Sequence, residues 1–363
     1  MKITSIEAIP LTYPFRHGGP PSGWGGRPWT EMRTLLVRVD TDEGLTGWGE
    51  AFGYNAIPAT KAAIETMVAP VAVGRDAARI SELMAKLQLA LHIFGRYGIT
   101  IFALSGLDIA LWDIAGKAAG LPLHRLLGGL ARESVPAYAS LLKYGDAGVV
   151  AELTKEALGQ GYRLIKLHEV SAHAVQAARA AAGDGVPIML DVNCVWSPKE
   201  AAAIAEELID YDLHWLEEPI WPPENYAALA ELRAACGIPL AAGENACTAW
   251  QFRALIDSGA VDYAQPSVTK LGGVSEFVRV AALAETGNVA LAPHSPYFGP
   301  GFLATLQLLA TMPAIESIER FYVELDSDLY DGALNPKDGA VAVPTGPGLG
   351  LEPNPDFIDR FRS

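Results

Sequence analysis

Residues 162–193 read YRLIKLHEVSAHAVQAARAAAGDGVPIMLDVN, and this stretch decides the fold. Its opening run places apolar Leu164, Ile165 and Leu167 so that both faces of a short strand are buried. An alanine-rich segment of helical character follows, and then a second apolar run, PIMLDVN. Strands alternating with helices imply a parallel sheet. Both runs finish in polar groups. Lys166 and His168 stand two residues apart, hence on one face of the strand, and Asp191 closes the next run. Burying an ammonium or an imidazole without a partner is costly, so these ends must meet something polar.

Working outward, the same unit recurs. VPAYASL precedes it, and LHWLEEP, PLAAGEN, VDYAQPS, NVALAPH and AIESIER follow, with a helical segment between successive strands. Eight strands with about seven intervening helices predict a closed barrel, a modified TIM barrel of the (β/α)7β kind. A doubly wound open sheet is the competing architecture, but no Gly-rich dinucleotide turn follows the first strand. From the second strand onward a polar residue sits at or near each strand end: Lys166, Asp191, Glu217, Glu244, Ser267, His294 and Glu319. Their spacing stays between 23 and 27 residues, so each occupies the same level of its own strand. In such barrels that level is the mouth, where active sites lie.

The flanks differ. TLLVRVDTDEGLTGWGEAF reads as a hairpin turning at residues 42–44, and residues 57–127 read as helices. RHGGPPSGWGGRPWT, residues 16–30, is a long Gly/Pro-rich loop with the character of a lid. After the last strand, GAVAVPTGPGLGLE is expected to pack back on the N-terminal part. The expected organisation is therefore an α+β capping domain over 1–130, a barrel over 131–320, and a C-terminal return over 321–363 that completes the capping domain.

The bulk properties narrow the partners. The chain has 363 residues and a formal net charge of −15, which argues against nucleic acid and anionic membranes. No run of apolar residues is long enough to suggest a membrane span, and the N-terminus lacks the pattern of a signal peptide. Cys194, Cys236 and Cys247 are odd in number and widely spaced, which suggests neither a disulfide framework nor a zinc site. A cytoplasmic location is the expectation. The expected partners are a small-molecule carboxylate and further copies of the same chain, as a homo-oligomer.

Asp191, Glu217 and Glu244 end three consecutive strands. Three converging carboxylates repel one another, and a divalent cation removes the conflict; an all-oxygen set suits Mg²⁺ or Mn²⁺. Glu218 and Asn245 adjoin two of these acids and are expected to point to the opposite face. Asn193 shares the Asp191 face and could touch metal, water or substrate. Lys166, His168 and His294 bring cations and hydrogen-bond donors to the flanks. A cation beside a lysine can hold a substrate carboxylate and stabilise the ene-diolate left when an α-proton is removed.

At this point the chain resembles the enolase superfamily, in its mandelate racemase/muconate lactonizing enzyme branch. ALSGLDIALWDIAGK, residues 103–117, is similar to the capping-domain signature, and LDVN, WLEEP and AGEN are similar to the metal-ligand strand ends. The resemblance implies metal ligation by Asp191, Glu217 and Glu244. It implies a carboxylate-binding role for Lys166, where the family's second strand has Lys-x-Lys, and puts His168 at the position of the base. His294 matches the strand-seven histidine. Ser267 stands where racemase-like members have an Asp and cycloisomerase-like members a Lys; it could hold the His294 tautomer through a hydrogen bond. Lys270, three residues on, is expected to be structural, at the barrel rim. Glu319 matches a glutamate that bonds the substrate carboxylate and is expected to stay protonated. His17, Trp24, Arg27 and Trp29 in the lid are candidates for substrate contact. The implied chemistry is Mg²⁺-dependent removal of a proton α to a carboxylate. Dehydration of a sugar acid to a 2-keto-3-deoxy acid comes first, with His168 as base and His294 as acid. Racemisation or epimerisation of a 2-hydroxy acid, cycloisomerisation, and a metal- and acid-binding barrel without turnover are the alternatives.

Overall fold

The computed structural model describes residues 1–20, 23–24 and 27–363, with backbone only at 23, 24 and 27. Three antiparallel strands, Ile3–Pro14, Glu31–Thr41 and Thr46–Ala51, open the chain, with Glu31–Thr41 in the middle. The hairpin turns where the sequence places it, after Thr41. Helix Ile99–Ala119 lies against this sheet at unusually close range. A Cβ built on Gly49 would stand 1.9 Å from the Gly106 carbonyl oxygen, so neither GWGE nor LSGLD tolerates a larger residue at the crossing. This helix has the length and composition of a membrane span, but 78% of its apolar window is buried inside the protein, as in a core helix.

The barrel strands follow in chain order: Ser134–Ser140, Ile165–Leu167, Ile188–Asp191, Leu213–Glu217, Leu240–Ala242, Tyr263–Ala264, Ala290–Leu291 and Ile318–Phe321. Each pairs in parallel with its predecessor through the seventh, and the eighth pairs in parallel with the first. Seven helices connect them, from Ala147–Gly159 to Pro300–Leu309. Side chains start several of these helices. Asp146, Ser171, Asn225 and Thr248 each accept from a first-turn amide, and Ser197 with Glu200 forms a capping box. No ladder joins strands seven and eight. Ser295, just past strand seven, closes that seam by donating its amide to Glu319 Oε2 at 3.0 Å.

Along the barrel axis, Tyr138, Met189, Trp215, Ala241 and Ala292 form an apolar plug. The polar strand ends stand at the other, C-terminal level.

The C-terminal return differs in part from expectation. Ala340–Ala342 pairs antiparallel with Ser134, Val135 and Pro136 of the first barrel strand. That strand is longer than its neighbours, so its N-terminal half runs past them and leaves ladder groups that need partners. Only then does helix Pro355–Phe361 reach the first capping strand, with Phe357 edge-on to Tyr13 at 5.2 Å.

Buried carboxylates fasten the two parts together. Glu50 ends the capping hairpin and accepts from Gly301 N at 2.8 Å, at the start of helix Pro300–Leu309. Asp108, from helix Ile99–Ala119, accepts from Ser275 N at 2.9 Å at the start of helix Gly273–Thr286. In each case the acid sits where unpaired amides and the helix dipole favour a negative group.

Candidate active site

A cavity of about 880 Å³ lies between the barrel mouth and the capping domain. Its floor includes His168, Asp191, Asn193, Glu244, Lys270, His294 and Glu319, and its opposite wall Trp29, Arg33, Phe52, Tyr54 and Phe102. Of the strand-end residues singled out by spacing, Asp191, Glu244, His294 and Glu319 line it, whereas Lys166, Glu217 and Ser267 touch these but do not line it.

One carboxylate oxygen from each of Asp191, Glu217 and Glu244 can be chosen so that all three lie within 4.8 Å of one another. Glu217 and Asp191 are buried, and burial together with repulsion from Asp191 pushes the Glu217 carboxyl well above its ordinary range. Asp191 goes the other way: burial opposes its ionisation, but Lys166 and His168 hold it below its usual value. Glu244 is likewise held well down, burial being outweighed by His294 and Lys270. The donor set fits a hard divalent cation. Lys166, Lys270, His168 and His294 stand against these acids, and the three strand-end carboxylates still offer an all-oxygen ligand set.

Lys166 is fully buried. Its Nζ lies 2.9 Å from Glu217 Oε1, 2.8 Å from Glu319 Oε1 and 3.5 Å from Asp191 Oδ2. Burial would strip its proton, but those charges raise its pKa well above the ordinary value. It does not line the cavity. The ammonium expected to meet a substrate carboxylate is instead enclosed by the protein's own acids. The same contact bears on Glu319 without a bound acid: burial favours its neutral form, yet Lys166 and His294 lower its pKa, and Ser140 Oγ donates to it at 2.8 Å.

His168 closes the question raised by its strand. Its Nδ1 lies 2.5 Å from the Leu141 carbonyl, which only an N–H can satisfy, so Nε2 is the nitrogen left for the cavity. Nε2 stands 3.4 Å from Asp191 Oδ2 and the ring lines the cavity. His294 offers Nε2 to Glu244 Oε2 at 2.8 Å, and its Nδ1 lies 3.2 Å from Ser267 Oγ and 3.3 Å from Tyr297 OH. Ser267 and Tyr297 hydrogen-bond each other. Ser267 thus does reach His294, and Tyr297, three residues beyond the histidine, joins it; nothing in the sequence marked that tyrosine out.

Two other expectations change. Asn245 lines the cavity instead of facing away, because the pleat ends at Ala242 and Gly243, at φ +131°, re-aims the chain. Glu218 does turn away, accepting from Gly243 N at 2.9 Å and from Cys194 Sγ at 3.1 Å. Lys270 is not a rim residue but part of the cavity wall. Asn193, at φ +50°, also lines the cavity, its amide bonded to Asp191 Oδ1 at 2.9 Å.

In the lid stretch, Trp29 lines the cavity and stacks edge-on to Tyr54 and Phe321. His17 does not. It packs on Phe15 and Tyr144 beside a separate pocket on the outer side of strand eight, because the backbone at Arg16 pairs with Glu324 there. The side chains of Trp24 and Arg27, and residues 21–22 and 25–26 of the lid, lie outside the described residues.

Comparison with known proteins agrees with this geometry. Residues 28–128 match the model of the mandelate racemase/muconate lactonizing enzyme N-terminal domain, and residues 149–357 that of the enolase C-terminal domain-like family. The D-galactarolactone cycloisomerase of Agrobacterium fabrum is 33% identical over 347 residues, covering 90% of this chain and 91% of that protein. A D-galactonate dehydratase of Xanthomonas campestris is 34% identical over 352 residues, with the same two coverages of 90% and 91%. Among solved structures, the 3,6-anhydro-D-galactonate cycloisomerase of Zobellia galactanivorans superposes with a TM-score of 0.85 at 27% identity, each chain fully covered. A racemase of Streptomyces coelicolor with bound magnesium gives 0.87 at 26% identity, covering 99% of this chain and 100% of that one. Both halves of the chain, and the mouth they enclose between them, place this protein in the mandelate racemase/muconate lactonizing enzyme branch of the enolase superfamily.

Proposed function

We propose that the protein is a divalent-metal enzyme that removes the proton α to the carboxylate of a sugar acid and expels a β-oxygen, with dehydration to a 2-keto-3-deoxy acid as the first assignment. The observation that carries this is His168. Its Nδ1 is committed to the Leu141 carbonyl, so its Nε2 is the ring nitrogen that faces the cavity, beside Asp191, where a general base must reach the α-proton.

Asp191, Glu217 and Glu244 would hold Mg²⁺, with Mn²⁺ the closest substitute in ligand preference. When bound, the cation supplies charge stabilisation for the ene-diolate. His168 takes the α-proton onto Nε2, and the C–H electron pair forms the ene-diolate. His294, on the other side of the mouth, gives a proton from Nε2 to the departing β-oxygen as its C–O bond breaks. The resulting enol then becomes the 2-keto acid. Tyr297 and Ser267 hold the far edge of the His294 ring, so that Nε2 faces inward. Trp29, Phe52, Tyr54 and Phe102 cover the mouth with aromatic surface that limits water.

Cycloisomerisation is the second reading, favoured by relatives of that name at the same level of identity as the dehydratase. The two share α-proton removal and C–O cleavage and differ in the leaving oxygen. Loss of a hydroxyl releases water; opening of a lactone ring keeps every atom. The test is a panel of sugar mono- and diacids and their lactones with Mg²⁺ in D₂O. A 2-keto acid formed with loss of water supports dehydration, and an isobaric 2-keto product supports cycloisomerisation. Exchange of the α-hydrogen without net reaction would shift the assignment to racemisation or epimerisation. If no panel member exchanges its α-hydrogen, the reading falls.

A further inference from the structure

Two lysines serve the mouth, and their surroundings are opposite in kind. Lys166 Nζ has carboxylate oxygens at 2.8, 2.9 and 3.5 Å, and no access to the cavity. Lys270 lies in the cavity wall with its side chain only 7% exposed. Its Nζ is 3.7 Å from Glu244 Oε1, beyond hydrogen-bond range, and 4.9 Å from the Phe52 ring centroid. Among the described residues no acceptor takes a hydrogen bond from this ammonium. It carries three donors, and a buried donor left unmade is expensive. The ring face of Phe52 offers partial compensation only.

The backbone explains how the residue gets there. After strand six ends at Ala264 the chain makes a tight turn, with Lys270 N donating to Ser267 O at 2.9 Å. That turn brings the side chain back over the mouth, beside Glu244 and under the capping domain's Phe52. The other described cations on the cavity wall are peripheral. Arg33 is about half exposed and faces Glu31 and Asn55, and Lys143 is exposed.

We propose that Lys270 is a further ammonium at the mouth, one that contacts the substrate's carboxylate and the negative charge that grows on it. This rests on the α-proton chemistry proposed above and deepens it by naming a residue that recognises the acid. A carboxylate seated against Lys270 would satisfy its open donors with the strong, charge-assisted kind of hydrogen bond. The neighbouring Glu244 Oε1, 3.7 Å away, places the ammonium beside the metal ligands, so one anionic group can meet both.

The test is calorimetric, on the full chain with saturating Mg²⁺, using tartronate and D-galactonate as probes. Lys270→Met and Lys270→Gln should bind both probes about 10- to 100-fold more weakly, with Mg²⁺ affinity and melting temperature little changed. Lys270→Arg should recover part of the loss, since it restores charge without the same reach. Wild-type probe affinity in Lys270→Met or Lys270→Gln would overturn the assignment and leave the proposed reaction standing. A parallel loss of Mg²⁺ affinity would also overturn it, by showing that the lysine merely supports Glu244. Should the Mg²⁺-loaded wild-type protein bind neither probe, the carboxylate-site reading itself fails, and this assignment with it.

Discussion

His168 and Lys166 share one strand face, yet they meet different fates, and single contacts decide which. The Leu141 carbonyl fixes the His168 tautomer, whereas three acids enclose Lys166. Replacing His168 by Asn keeps a donor within reach of Leu141 and removes the ring nitrogen that faces the cavity. The expected result is a fall in kcat of about 10²- to 10⁴-fold, with Mg²⁺ and acid affinities near wild type. Steady-state kinetics and separate binding titrations on a confirmed substrate check it. A variant that keeps near wild-type kcat would move the base elsewhere. The strand-end residues were legible because alternation and period hold as long as the strand lasts. Beyond the strand they do not. Lys270 and Asn245 follow a turn and a positive-φ glycine, so their directions depend on backbone geometry that no spacing encodes. Tyr297 was invisible for the same reason, since its role exists only through contact with Ser267 and His294.

Elements dock here through acids as well as apolar faces. Glu50 and Asp108 reach from capping elements to the starts of two barrel helices, and both are fully buried. For each, burial outweighs the amide hydrogen bonds and pushes the carboxyl up to about 7. The sign of the consequence follows. In the unfolded chain these groups ionise near their ordinary values, between about 4 and 4.5. Between that range and pH 7 the folded state therefore holds protons that the unfolded state has lost, so their contribution is present at acidic pH and fades as pH rises towards 7. Each is worth on the order of 3 kcal/mol. Glu50→Gln keeps an acceptor for Gly301 and cannot ionise. Its melting temperature should match wild type near pH 5, exceed it at pH 8, and vary less between the two. Melting curves across that range in EDTA decide the matter, and an unchanged wild-type slope in the variant would sink it. The glycine-lined crossing of helix Ile99–Ala119 on the hairpin was half visible in sequence: ALSGLDIALWDIAGK showed the helix. The acid-to-amide docking was not visible, because it joins residues 251 and 167 positions apart.

The whole molecule concentrates its electrostatic problem at one place. Asp191, Glu217, Glu244 and Glu319 converge at the mouth, with Lys166, Lys270, His168 and His294 beside them. The barrel supplies the scaffold that buries those acids together, and the Glu217 carboxyl, pushed well above its ordinary range by burial and then by Asp191, shows the cost. A ligand that binds only the folded state stabilises it by RT ln(1 + [L]/Kd). Mg²⁺ should therefore act as a stabiliser of the entire chain. At a hundredfold excess over its dissociation constant it should add about 2.7 kcal/mol, seen as a higher melting temperature than in EDTA. Glu217→Gln separates this from any general salt effect. It replaces a carboxyl that burial and Asp191 already push well above its ordinary range with an amide of the same shape, so in EDTA the variant should lose little, although Lys166 loses part of its pairing. On adding Mg²⁺ it should gain little, because one anionic ligand is gone. The informative quantity is thus the metal-induced shift, large in wild type and small in the variant, with Na⁺ at matched ionic strength shifting neither. If wild type and Glu217→Gln shifted equally, the three strand-end acids would not be the metal centre, and the chemistry assigned to the mouth would lose its electrostatic basis.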